Sequence, residues 1–184
     1  MQRFIFVVSG PSGVGKTSIV NELLKVRNNV AQVVSYTTRE IRSNEVDGVH
    51  YHFINNEQFE GLYQKGDFLE SAEIFNHKYG VSKSSIESIL QTKHAMLVIS
   101  WSGFLALKKV FKKRVIGIFI SPPSLQILRE RIERRSTDSI EEINRRLKMA
   151  DEDMQHRNLY DYNITNEDIQ SSVFQIARIL DLAK

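Results

Sequence analysis

Residues 10–17 read Gly10-Pro11-Ser12-Gly13-Val14-Gly15-Lys16-Thr17, which fills the spacing G-x-x-x-x-G-K-[S/T] in full. Glycines at these intervals let the backbone curl, so that successive N–H groups point inward at phosphate oxygens. A helix starting at the end of such a loop presents its positive terminus to the same anion. Lys16 can reach the outer phosphates of a nucleoside triphosphate, and Thr17 can ligate Mg²⁺ through its hydroxyl. A Gly-rich turn that binds nothing is the bland alternative. The apolar stretch before the loop and the amphipathic one after it argue against that alternative. The loop alone does not choose among kinases, GTPases and motor ATPases. The N-K-x-D string with which GTPases read their base does not occur in the chain.

A second cluster runs Ser35-Tyr36-Thr37-Thr38-Arg39-Glu40-Ile41-Arg42-Ser43-Asn44-Glu45-Val46-Asp47-Gly48-Val49-His50-Tyr51-His52-Phe53. Arg39 and Arg42 can hold a monophosphate through planar, charge-assisted forks. Tyr51 and Tyr79 can donate phenolic hydrogen bonds to the same group. A solvated, charge-rich surface loop is the competing reading. This string resembles the guanylate kinase pattern, roughly S-x-T-T-R-x-x-R-x-x-E-x-x-G-x-x-Y-x-F, and the resemblance extends over essentially the whole chain to Tyr160-Asp161-Tyr162 and Asn166. It implies that Arg39, Arg42, Tyr51 and Tyr79 hold the phosphate of GMP, with Glu45 supporting them. Glu70 matches the glutamate that reads guanine, where a carboxylate accepts from N1–H and the exocyclic amine together. Ser35 matches a hydroxyl that reaches guanine O6. Gly10 to Thr17 with Ser18 would bind ATP, and Asn166 matches an asparagine placed near adenine. Its competing role is a cap or turn before the last helix.

Four arginines, Arg129, Arg131, Arg134 and Arg135, crowd the stretch from Leu125 to Arg135, and Arg145 and Arg146 follow. Arg131 and Arg135 are four apart and share a helix face. The resemblance makes this region a lid over ATP, with Arg131, Arg135 and Arg146 clamping the transferring phosphoryl group beside Lys16. Arginine suits that task because charge spreads over the equatorial oxygens of a loose transition state. Closure excludes water that would divert transfer into hydrolysis. An ion-pair-rich helix is the plain alternative, since Glu130, Glu133, Glu141 and Glu142 are close by. Arg134 and Ser136 stand where the family usually has glycine, which implies a stiffer lid hinge.

Two places depart from the family. Its third core strand ordinarily ends D-I-D-x-Q-G, and here the text is Val98-Ile99-Ser100-Trp101-Ser102-Gly103. Val98 and Ser100 replace carboxylates that serve the Mg²⁺ shell and the acceptor nucleotide. Loss of such a group can cost several kcal/mol of transition-state stabilisation. If that loss limits turnover, Ser100→Asp should raise it. Val81 replaces the family's Ser or Thr that helps read guanine O6, and Ser82 points the other way if the segment is extended.

These side chains need a scaffold, and the hydrophobic pattern supplies one. Phe4 to Val8, Met96 to Ser100 and Val115 to Ile120 are near-continuous apolar runs, the mark of strands buried on both faces. Gln32 to Ser35 and Tyr162 to Thr165 are weaker strand candidates. Thr17 to Lys25, Ile140 to Met154 and Ile169 to Leu180 carry apolar residues at helical spacing. Alternating strand and helix predicts an α/β fold, a parallel sheet covered by helices. The segment from Thr37 to Tyr79 breaks the rhythm. It predicts small strands at Tyr51 to Ile54 and Phe68 to Ser71, around a helix from Glu57 to Lys65 capped by Asn56 and stopped by Gly66. Ser84 to Glu87 and Ser139 to Glu142 fit capping boxes.

The chain has 184 residues, 41% hydrophobic and 26% charged, which suits one globular domain. The expected division is a core of 1–34, 84–124 and 156–184, an acceptor lobe of 35–83 and a lid of 125–155. Net charge is +3. The run Lys108, Lys109, Lys112, Lys113 and Arg114 reads as a solvated helix surface rather than a nucleic-acid face. No cysteine is present, which excludes disulfides and thiolate metal sites. No apolar stretch approaches the ~18 residues of a membrane span, and no signal peptide is recognisable, so a cytoplasmic location is the expectation. Oligomeric state is left open.

The expected protein is thus a three-layer P-loop kinase with Mg²⁺ as cofactor and ATP and GMP as partners. Two alternatives stand. One is a kinase of another small phosphorylated acceptor, of the ribose-bisphosphate type. The other is a weakened nucleotide-binding or peptide-binding module. The retained Arg39, Arg42, Tyr51, Tyr79 and Glu70 count against the first, and the intact phosphate loop counts against the second.

Overall fold

The stretch Ile5–Ser9 forms β1, and all five of its residues are buried. Phe6 and Val8 enter one hydrophobic cluster and Ile5 and Val7 another, so helices must cover both faces. The computed structural model of the chain describes residues 2–43, 45–74, 76–135 and 140–183, apart from the side chains of Ile74, Arg135 and Glu142. The main sheet has the order β2-β7-β1-β8-β9 and every pairing in it is parallel. Its other strands are β2 (Val30–Gln32), β7 (His94–Val98), β8 (Val115–Ser121) and β9 (Tyr162–Thr165). Alternation continues across the sheet. Met96, Ile118 and Ile120 face one cluster, and Ala95, Leu97 and Phe119 the other.

One face is covered by α1 (Lys16–Val26) and α7 (Ile169–Leu182), with residues of α5 (Leu125–Arg135) and α6 (Ile140–Gln155) completing the cluster. The opposite face carries α3 (Lys83–Ile89) and α4 (Trp101–Phe111). This is a three-layer α/β arrangement. Because β1 lies between β7 and β8, a crevice opens at the carboxyl ends of these strands.

A second, four-stranded sheet has the order β4-β3-β6-β5. It is built from β3 (Tyr36–Thr37), β4 (His52–Phe53), β5 (Phe68–Ile74) and β6 (His77–Ser82), with α2 (Asn56–Gln64) packed on it. Phe59 of α2 is 2% exposed and lies 4.7 Å from the Phe68 ring.

Several boundaries differ from the sequence expectation. The cap of α2 is Asn55, not Asn56, with Gln58 completing a capping box. The cap of α3 is Ser82, whose hydroxyl accepts from Ser85 N. The Ser84 box is overridden because Ser82 and Ser84 both bind Asp67. Strand β2 ends at Gln32 because its pairing with β7 ends there. Strand β7 ends at Val98, since the Ser100 hydroxyl already caps α4. β6 escaped sequence reading because His77, Lys78 and Gly80 interrupt any apolar pattern. The Ser139 box lies outside the described residues, as does Ser136. Among the described residues no helix is long and apolar enough to cross a membrane.

Candidate active site

The phosphate loop joins β1 to α1 at the carboxyl edge of the main sheet. Gly15 has φ +102°, a conformation that disfavours any side chain. A Cβ on Gly10 would collide with the Ile120 carbonyl oxygen. Lys16 Nζ donates to the Gly10 and Pro11 carbonyls at 2.6 and 2.9 Å, so the ammonium lies along the loop it serves. Burial lowers its pKa to about 8, against the opposing pull of the Asp153 carboxylate. Thr17 and Ser12 are exposed on the same rim, Ser18 is half-buried behind them, and Pro11 and Val14 are buried.

Asn166 lies beneath this loop and is only 3% exposed. Its Nδ2 donates to Val14 O at 2.7 Å, and its Oδ1 accepts from Ser172 Oγ at 3.0 Å. Both ends of the amide are therefore committed to the protein, and the residue braces the loop from below. Arg131 Nη2 reaches the carbonyls of Asn166 and Glu167 at 3.1 and 3.4 Å. Its Nη1 is buried with no partner among the described residues, leaving one cationic donor unsatisfied beside the loop.

Across the crevice, Glu45 organises the second cluster. Both its oxygens accept from Arg39 Nη2, at 2.7 and 2.8 Å, and one accepts from Arg42 N at 3.0 Å. Burial alone would raise its pKa, but the Arg39 guanidinium, the Arg42 N–H and the Arg42 charge together outweigh burial and hold the carboxylate below its usual value. Arg39 is bounded by the Tyr51 and Phe53 rings, 5.7 and 5.5 Å from their centroids. Tyr51 and Tyr79 meet edge to face at 5.9 Å. Burial, with the neighbouring Tyr79, pushes the Tyr51 hydroxyl above its ordinary pKa, so it remains a donor at neutral pH.

One cavity of about 450 Å³ joins the two clusters. Ser12, Lys16 and Thr17 line one wall, and Ser35, Arg42, Tyr51, Glu70 and Tyr79 line the other. Helix α6 contributes Arg146, Met149 and Asp153, spaced so that all three share one helix face. Arg39 stands behind this lining, bound to Glu45, and the Arg135 side chain is outside the described residues. Val81 lies beside Glu70, its cross-strand partner, and is also in the wall. Ser82 is 1% exposed and is taken up by Asp67 and the α3 cap.

Sequence reasoning passed over three residues of the cleft wall and a fourth beside it. Asp153 faces Lys16 electrostatically, and its own pKa is raised by burial. The i, i+3, i+7 spacing of Arg146, Met149 and Asp153 was the available signal. Tyr160 is 6% exposed, and burial pushes its pKa up to about 12 against the opposing effect of the neighbouring Ser9. Trp101 lines the cavity and stacks on His156 at 4.1 Å. Ser102 donates to Glu70 Oε1 at 2.7 Å. None of these last three had a local pattern to betray it.

Mg²⁺ needs hard oxygen ligands and tolerates several waters. The exposed Thr17 hydroxyl on the phosphate rim fits that need. Among the described residues no group of three His, Cys, Asp or Glu could cage a metal.

The family model described as guanylate kinase matches residues 2–183. A guanylate kinase of Wolbachia sp. subsp. Brugia malayi is 41% identical over 178 residues, covering 96% of this chain and 91% of that one. One from Hahella chejuensis is 42% identical over 177 residues, covering 95% and 84%. The crystal structure of guanylate kinase from Anaplasma phagocytophilum superposes with a TM-score of 0.80 at 32% identity, covering 98% of this chain and 85% of that one.

Proposed function

Because the chain belongs to the guanylate kinase family, we propose that it transfers the γ-phosphoryl group of ATP to GMP, giving ADP and GDP. The observation that carries this reading is the single cavity with a phosphate loop on one wall and an arginine–tyrosine cluster on the other. Two anion sites facing each other suit a reaction that joins two phosphates. On this reading residues 35–83 form the acceptor lobe and 125–155 the lid, closing on a core of 1–34, 84–124 and 156–184.

The acceptor phosphate is already an anion, so no strong base is required, and the protein's work is placement and charge neutralisation. Lys16 moves from the Gly10 and Pro11 carbonyls to the phosphates that replace them. Arg42, Tyr51 and Tyr79 orient the GMP phosphate, with Glu45 holding Arg39 and the Arg42 backbone in place. Glu70 and Ser35 take the base. Arg146 lies on the cavity wall, where it can meet charge developing on the transferred group; Arg131 and Arg135 are proposed to join it. Asn166 supports the ATP site through Val14 rather than by touching adenine. Thr17 would hold Mg²⁺, which would supply charge neutralisation to the phosphates when bound.

The test is coupled ADP release with ATP, Mg²⁺ and a panel of acceptors. The reading requires GMP to be preferred over AMP, CMP and UMP by at least about 10²-fold in kcat/KM, as expected where a site hydrogen-bonds its substrate. ADP release that is independent of GMP, or greater with a sugar phosphate, would refute it.

A further inference from the structure

Glu70 is held from the opposite wall of the cleft. The β5–β6 register shifts between Phe68 and Glu70, an irregularity of the kind that re-aims a side chain. The carboxylate reaches the first turn of α4. Oε1 accepts from Ser102 Oγ at 2.7 Å and from Ser100 Oγ at 3.4 Å, and the two hydroxyls are 2.9 Å apart. Ser100 Oγ in turn accepts from Gly103 N at 3.4 Å as the helix cap. Oε2 lies against Gly103 so closely that a Cβ there would collide with it. The carboxylate thus fills the space that a side chain at 103 would occupy. Among the described residues no donor is paired with Oε2.

We propose that Ser102 and Gly103 are positioning residues for base recognition: the Ser102 hydroxyl fixes Oε1 of Glu70, and the absent side chain at Gly103 makes room for Oε2. The proposal rests on the GMP reading above. Guanine offers two donors side by side, N1–H and the 2-amino group. A carboxylate accepts both only when its two oxygens face that edge together. Each oxygen has two lone pairs, so Oε1 can keep the short bond from Ser102 and accept from the base in place of the long one from Ser100. Rotating the carboxylate leaves one donor unmet. Hypoxanthine carries N1–H but no 2-amino group and has less to lose from that rotation. In this chain hydroxyls at 100 and 102 donate to Glu70, where a carboxylate at 100 would repel it.

Steady-state kinetics with saturating ATP and varied GMP or IMP test this in the wild type, Ser102→Ala, Ser102→Thr and Gly103→Ala. Ser102 is exposed, so its truncation removes no core contact. Ser102→Ala should raise KM for GMP about 10-fold, the scale of one hydrogen bond to a charged group. KM for ATP and kcat should stay within about twofold, and the preference for GMP over IMP should shrink. Ser102→Thr, which keeps the hydroxyl, should restore the wild-type values. Gly103→Ala should lose GMP affinity further while its thermal midpoint stays near wild type. An unchanged KM for GMP and an unchanged GMP/IMP ratio in Ser102→Ala would overturn the proposal. So would a uniform loss in kcat and in both KM values with a lowered thermal midpoint, which marks a merely structural serine. A wild type that ignores GMP would remove the functional reading, and this proposal with it.

Discussion

Glu45 shows how one carboxylate can order two arginines at once. It binds Arg39 with both oxygens and the Arg42 backbone with one, and the Arg39 and Glu45 side chains are only 11% and 16% exposed. Neutralising it takes the charge from all three bonds and turns one acceptor into a donor. Glu45→Gln should raise KM for GMP at least about 10-fold, since each such bond contributes ~1.5–3 kcal/mol. The KM for ATP should be little changed. Glu70 gives a pH prediction. Burial raises its pKa, and the donations from Ser102 and Ser100 only partly oppose this. On the proposed reading guanine is bound by the ionised form, so affinity is present above that raised pKa and is lost as pH falls through it. The acid limb of GMP affinity should therefore begin above the ordinary glutamate range and vanish in Glu70→Gln. That comparison also cancels the titration of the GMP phosphate, which is common to both proteins.

At the scale of elements, the phosphate loop depends on a residue far from it in the chain. Asn166 follows β9 and ties Val14 O to Ser172 of α7. Asn166→Ala would leave the Val14 carbonyl short of its side-chain donor, while the Ser172 hydroxyl would keep Asp168 O as its acceptor. It should cost about 1–3 kcal/mol of stability by denaturant titration and weaken ATP binding more than GMP binding. The β6–α3 junction divides its labour between neighbours. Ser82 turns inward to cap α3, and Val81 turns into the cavity beside Glu70. Ser82→Ala should therefore lower stability by roughly 1 kcal/mol, the usual value of an N-cap, with base discrimination unchanged. The same register explains why Ser82 does not stand in for the hydroxyl that Val81 lacks. At the start of α4, the neighbourhood of Ser100 also revises the expectation for Ser100→Asp. Aspartate would keep the cap but set a second carboxylate beside Glu70, so KM for GMP should rise even if turnover gains.

At the scale of the whole molecule, the start of α4 and the residue that follows α6 are joined by an aromatic pair. Trp101 opens α4 and lines the cavity, and its ring stacks on His156, just beyond α6, at 4.1 Å and 23°. The chain has a single tryptophan, so its emission reports this joint without ambiguity. Adding GMP with a non-hydrolysable ATP analogue should change that emission, with half-effects at the concentrations that govern turnover. His156→Ala should abolish most of the change and cost about 1 kcal/mol of stability, the usual scale of an aromatic contact. Arg146, Met149 and Asp153 lie on the same helix. Displacement of α6 would move a guanidinium and a carboxylate together relative to Lys16.

What the sequence determined by itself is what is written locally. The curl of residues 10–17, the Arg39–Arg42 spacing, the apolar runs that become β1 and β8, and the helical period of α6 each fit within a few turns or strands of chain. What only the tertiary structure decided depends on contacts between distant residues. Glu70 and Ser102 are 32 residues apart and Asn166 and Val14 are 152 apart. No periodicity links such pairs, because side-chain direction across a cleft follows from strand register, a bulge and the packing of helices on a sheet. The same reason hid the cap at Ser100. A hydroxyl that looks like the end of a strand becomes the start of a helix only once the chain has turned away from the sheet.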